Sequence, residues 1–156
     1  MTQAQADDAE RRLAEFLSKF TPEIESRAFA IIAAMRQRLP GAIIPVYDNY
    51  NALAVGFGPT DRVSEIVFSI AVFPRWVSLF FMGGAMLNDP KGLLKGAGSQ
   101  VRHIIIPGPE ALDEPGISAL MEAALRAAPK SIDPHQPGGV VIKSVSERQR
   151  PRRPAH

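Results

Sequence analysis

The sequence predicts an α+β fold: two N-terminal helices, a curved antiparallel sheet of about five strands, a C-terminal helix and a basic tail. Two patterns predict it. Apolar residues recur at helical spacing over 9–39 and again over 117–128, while between them short apolar runs alternate with period two, punctuated by Gly, Pro and Asn. Runs of strands flanked by helices place the helices on one face of an antiparallel sheet. The 156 residues suit one domain with tails, divided here into a domain over 1–128 and a linker with tail over 129–156.

The first helix is read from Ala9, Leu13, Phe16, Leu17 and Phe20, which share one face. Thr21-Pro22-Glu23 restarts the chain: Thr is a favoured cap, Pro is preset for the first helical position, and Glu suits the positive end of the dipole. The second helix carries Ile24, Ala28, Ile31, Met35 and Leu39 inward and ends at Pro40-Gly41. Residues 42–47 are extended, with Pro45 suggesting an edge position or a bulge. Asp48-Asn49 reads as a turn. Over 51–58 Leu53, Val55 and Phe57 face one way and Ala52, Ala54, Gly56 and Gly58 the other, a small-residue face that a helix or ligand can approach closely.

Residues 66–87 carry Arg75 as their only charge, and a hydropathy window flags them as a membrane span. Pro74-Arg75 near the middle and the β-branched and aromatic residues on both sides favour a buried hairpin of strands 65–73 and 76–82. Residues 101–106 make a fifth strand, stopped by Pro107-Gly108-Pro109. The closing helix runs from about Glu114 to Ala128. Past the Pro/Gly linker 129–139, residues 140–145 can add a short strand, and 146–156 read by composition as disordered.

Charge is unevenly placed. Residues 129–156 hold six Lys/Arg and two acids, whereas 1–128 hold twelve Lys/Arg and fourteen acids. The basicity therefore belongs to the tail, and a basic nucleic-acid-binding body is not indicated. Arg148, Arg150, Arg152 and Arg153 are the candidates there for weak, sequence-indifferent nucleic-acid contact. The absence of cysteine excludes disulfides, thiolate metal sites and cysteine nucleophiles. Met1 to Glu10 is polar, with no basic-then-apolar leader pattern, so the expected setting is cytoplasmic, with no membrane contact.

Two segments are candidates for binding. Residues 83–103 contain five glycines, Gly83, Gly84, Gly92, Gly96 and Gly98, in a connection longer than the usual ~4–6 residues, and long ordered loops are often functional. Lys91, Lys95 and Arg102 add positive charge, and Gly96-Ala97-Gly98 can turn backbone N–H groups toward an anion. The structural alternative is a crossover in which Asn88-Asp89-Pro90 makes a turn and Leu93-Leu94 plug the core. The second segment is the polar-aromatic corner Tyr47, Asp48, Asn49, Tyr50 and Asn51, which is either a ligand contact or a simple turn with half-buried tyrosines. His103 neighbours Arg102 on a strand, so the two point to opposite faces. No catalytic motif is present, and Asp89 and His103 are the only candidates for an unrecognised enzyme.

Tyr47-Asp48-Asn49-Tyr50-Asn51 with Leu53, Gly83-Gly84-Ala85-Met86-Leu87-Asn88-Asp89-Pro90, Gly92-Leu93-Leu94-Lys95-Gly96 and Arg102-His103-Ile104 together resemble the YdhG-like domains of unknown function, a bacterial group. The resemblance spans about residues 10–128. It implies a compact α+β fold with a curved antiparallel sheet and no established reaction. Some relatives are described as frataxin-like iron chaperones, which makes iron the one metal to consider here. The acids Asp7, Asp8, Glu10, Glu15, Glu23 and Glu25 would then be its ligands, but they do not form a dense acidic ridge.

The expectation is a binding domain for an anionic small molecule or a protein partner, needing no cofactor. Its site would lie between the corner (Tyr47, Asn49, Tyr50) and the loop (Asp89, Lys95, Gly96, Gly98, Arg102, His103).

Overall fold

The computed structural model describes residues 2–155. Helix α1 spans Gln3–Ser18, its Thr2 cap and Gln5 hydrogen-bonding each other reciprocally. Helix α2 spans Pro22–Arg38; the Thr21 hydroxyl accepts from the Ile24 N–H at 3.3 Å, with Glu23 and Glu25 in the first turn and Arg36 and Arg38 in the last. Strands β1 (Ile43–Asp48), β2 (Leu53–Phe57), β3 (Phe68–Val72), β4 (Val77–Phe81) and β5 (Arg102–Ile105) follow, then α3 (Pro115–Ala127) and β6 (Gly139–Val145). Short 3-10 turns occupy Val63–Glu65, Gly84–Met86 and Pro109–Asp113.

The fold class is α+β, as the sequence predicts. The apolar run 66–87 is the expected hairpin: β3 and β4 pair antiparallel, the Phe73 N–H donates to the Trp76 carbonyl at 2.9 Å, and the two rings stack at 4.7 Å. Among the described residues no helix is long and apolar enough to cross a membrane.

Two features of the sheet differ from expectation. It has six strands, in the order β5-β4-β3-β2-β1-β6, and β6 pairs parallel to β1, so the sheet is mixed. Pro45 accordingly lies in an internal strand, and the pairing with β6 shifts register one residue on, between Val46 and Tyr47. The parallel return needs a long connection, supplied by everything from β2 to the linker. The linker is anchored at Gly41, whose φ of +82° and the Asp133 carbonyl 2.0 Å from any added Cβ leave room only for glycine. The Gln136 amide donates to the Gly41 carbonyl at 2.6 Å.

Alternation decides which residues face the core. Val46, Val55, Ile70, Leu79 and Ile104 form one register row on the buried face, and Asp48, Leu53, Val72 and Val77 form another. The row between them, Tyr47, Ala54, Ala71, Ser78 and Ile105, and the row beyond Val55, made of Gly56, Ser69, Phe80 and His103, lie on the opposite face. Phe16, Phe20, Ile31 and Met35 of the helical layer close the core with Leu120 and Met121 of α3.

Candidate functional site

The strand phase that puts Ile44 and Val46 inward also puts Asp48 inward, where it is 1% exposed. A carboxylate there needs a cation and hydrogen bonds. Arg152 supplies them: its Nη2 donates to Asp48 Oδ1 at 2.8 Å and to the Asn49 carbonyl at 2.5 Å, and its Nη1 donates to the Tyr50 carbonyl at 3.3 Å. Lys19 Nζ lies 3.4 Å from Asp48 Oδ2, and the Arg152 guanidinium sits 5.7 Å from the Phe20 ring centroid. Gln149 donates to the Asp48 carbonyl, Arg150 N–H to the Tyr50 carbonyl, and Arg153 Nε to the Lys19 carbonyl. The tail is therefore docked, which corrects the reading of 146–156 as disordered over the residues described. Arg152 is consumed by the fold; Arg148, Arg150 and Arg153 remain exposed.

The corner and the glycine-rich loop do not form one cleft. Asp48 shares a register row with Val77, whereas Arg102 shares one with Phe81, Phe68 and Phe57 at the other end of the sheet. Four strand spacings and about four residues of rise separate them, ~23 Å at ~4.8 Å per strand and ~3.3 Å per residue. The expected site between Tyr47 and Lys95 is thus split by sheet topology.

The loop is held by its own residues. The Asp89 carboxylate accepts from the Leu93 and Leu94 N–H groups, each at 2.9 Å. Arg102 Nη1 donates to the carbonyls of Gly98 at 2.6 Å and Val101 at 2.8 Å. Lys95 and His103 exchange both backbone hydrogen bonds, extending the sheet beyond β5, and the His103 ring stacks on Phe80 at 5.1 Å. Leu93 and Leu94 pack against the core. Gly96 has a φ of +121°, a strained conformation for any other residue. These are the contacts of the structural crossover. Asp89 and His103 do not meet a common partner that would make an acid–base pair.

The N-terminal acids are largely paired with arginines. Arg11 bridges Asp8 and Glu15, and the Asp8 hydrogen bond is the first cause holding its guanidinium above the ordinary arginine pKa. Arg36 binds Glu10 through both nitrogens at 2.8 and 3.0 Å, and Arg27 binds Glu23 at 2.9 Å. Among the described residues no group of three or more His, Asp or Glu side chains is placed to hold a metal ion.

What the structure adds is a cavity of about 390 Å3 at the loop end of the sheet. Its floor is Val67 and Met82, just beyond the ends of β3 and β4; Leu87 and Val101 of the glycine-rich loop form one wall, and Ala124 and Ala127 of α3 the other. The volume falls within the ~300–1,000 Å3 range of small-molecule sites. Its polar groups are few. Glu65 is one-fifth exposed, and its Oε1 is buried without a hydrogen-bond partner. Lys130 Nζ lies 3.6 Å from Oε1 and Arg62 Nε 3.8 Å from Oε2, close enough to neutralise charge and too far for hydrogen bonds. None of Tyr47, Asn49, Tyr50, Asp89, Lys95, Gly96, Gly98, Arg102, His103 or the tail arginines lines this cavity, although Gly83, Met86, Leu87, Gln100 and Val101 of the 83–103 segment do. The sequence signal was faint, because alanines on a helix and a Val-Ser-Glu turn resemble any packed surface.

No protein-family model matches the chain, and searches of curated proteins and of solved structures find no match either.

Proposed function

We propose that the chain is a small-molecule-binding module whose ligand occupies the cavity between the Val63–Glu65 turn, the glycine-rich loop and the C-terminal half of α3, and that it works in the cytoplasm as a YdhG-like domain. The observation that carries the binding reading is the preformed, mostly apolar cavity of about 390 Å3 at the loop end of the sheet. A structural crossover needs no such cavity; packed interiors leave few voids larger than a water. In this reading the loop serves as a wall, held rigid by Asp89 and Arg102, rather than as an anion cradle. The pairing of the acids on α1 and α2 with arginines favours it over iron delivery.

The test is a ligand-observed NMR screen of small apolar probes against the full chain, repeated on Ala127→Phe. Ala127 is exposed at the cavity wall, so the larger ring fills space without overpacking the core. Probes that bind the unmodified chain and lose binding in a folded Ala127→Phe support the reading. An absence of binders, or binders indifferent to Ala127→Phe, contradicts it.

A further inference from the structure

The docked tail builds a second surface at the end of the sheet away from the cavity. Asp48, Leu53, Val72 and Val77 form one register row. The turns over 49–52 and 73–76 therefore leave the sheet at the same end, two strand spacings or ~10 Å apart. Each turn carries an exposed aromatic ring: Tyr50 is 45% exposed and Trp76 39%. Trp76 is held by stacking on Phe73.

Arginines collect at the same end. Arg75 stands in the second turn. The Ser146 N–H donates to the Asp48 carbonyl and the Arg150 N–H to the Tyr50 carbonyl, which draws Arg148 and Arg150 alongside the first turn. Arg153 is tied to the Lys19 carbonyl at the end of α1. All four are exposed, and among the described residues none pairs with an acid. Beneath them Asp48 and Arg152 offset each other, and Glu147 is the one acid of the tail after Val145. The Arg150 guanidinium lies 5.7 Å from the Tyr50 ring centroid, so ring and charge are presented as one unit.

Unpaired arginines alone suit any polyanion. The rings add discrimination. Unpaired bases offer flat faces to an exposed aromatic side chain, while the phosphates meet the arginines. In a duplex the bases are stacked on one another and closed to the rings, and an acidic peptide offers no base to stack. We infer that this end of the sheet binds single-stranded nucleic acid, with Arg75, Arg148, Arg150 and Arg153 on the phosphates and Tyr50 and Trp76 against the bases. The site is independent of the cavity. It differs from the sequence expectation in adding the two turns to a contact that the tail alone would make through charge.

The test is fluorescence anisotropy of labelled oligothymidylate and oligouridylate, each of about 15 nucleotides, against the full-length chain, with duplex DNA of the same length and heparin as controls. A duplex carries the denser charge, so charge alone favours it. The expected result is the reverse: at least one of the single strands binds about fivefold or more tighter than the duplex and heparin, and the tighter of the two names the preferred sugar. Four phosphate contacts on a single strand give a slope of log K against log salt of about −3. Trp76→Ala and Tyr50→Ala should each weaken binding about fivefold or more, as the loss of one stacked base does, and Trp76→Phe should keep most of the affinity. Arg148→Ala combined with Arg150→Ala should flatten the salt slope by about one, with Arg152 still on Asp48. Single strands bound no better than duplex or heparin, or not bound at all, would overturn the assignment. So would a single-strand preference indifferent to both ring substitutions. The comparison of probes uses the unmodified protein, so it decides the matter even if a ring variant does not fold.

Discussion

The two ends of the sheet use charge in opposite ways. At the β1–β2 end, a buried acid and a buried arginine meet directly and Lys19, Asn49, Tyr50 and Gln149 bond around them, while Arg152 Nε stays buried without a hydrogen-bond partner. At the loop end, Glu65 pairs with two exposed cations, Lys130 and Arg62, and lines an open cavity. The first arrangement is a closed latch that holds the C-terminus to the fold. The second keeps its charges at the surface beside open volume. Charged residues conspicuous in a sequence can thus be spent on the fold, while the cavity is lined by residues that attract no attention.

The largest effect should come from breaking the latch. Asp48→Ala leaves the Arg152 guanidinium buried without its carboxylate, which costs about 3–5 kcal/mol. That is a large share of the ~5–15 kcal/mol typical of a domain, and urea unfolding should register it as a fall in midpoint at constant slope. Truncation before Ser146 should cost somewhat less, about 2–4 kcal/mol, because Asp48 loses its partner but gains access to water. A truncated chain as stable as the full one would mean that the tail is not docked.

At the loop end the effects should be smaller. Asp89→Ala removes the acceptor for two backbone N–H groups at the surface, a loss of about 1–2 kcal/mol by analogy with helix caps, seen as faster amide exchange at Leu93 and Leu94. Lys95→Ala should change stability by less than about 0.5 kcal/mol, since Lys95 joins the sheet through its backbone and its side chain is exposed. A Lys95→Ala effect as large as that of Asp48→Ala would erase the contrast between the two ends.

The elements were legible in the sequence because their signals are local. Thr21-Pro22-Glu23 carries its own capping chemistry, and Pro74-Arg75 marks the hairpin within a run that hydropathy alone misassigns. What was illegible depends on partners distant in sequence. Arg152 sits in an Arg/Pro-rich stretch that composition reads as disordered, because composition does not register an inward acid 104 residues away. The clue was the strand phase of Ile44, Val46 and Asp48, which places the acid on the core face once Asp48 is counted in the strand instead of the turn. The parallel docking of β6 likewise follows from where the linker returns, at Gly41, and not from anything in residues 140–145. Joining the corner and the loop into one site failed because it took no account of direction along the sheet.

In the proposed function, binding belongs to the cavity, and the glycine-rich loop's charges and the basic tail serve elsewhere. The most direct test is amide chemical-shift mapping of the isotope-labelled full chain titrated with indole. The expected result is a contiguous set of shifts over residues 63–67, Leu87, Val101 and 124–130, with the Lys95 and Arg152 amides unmoved. Shifts centred on Lys95, Gly96 and Arg102, or on the Arg148–Arg153 tail, would contradict it.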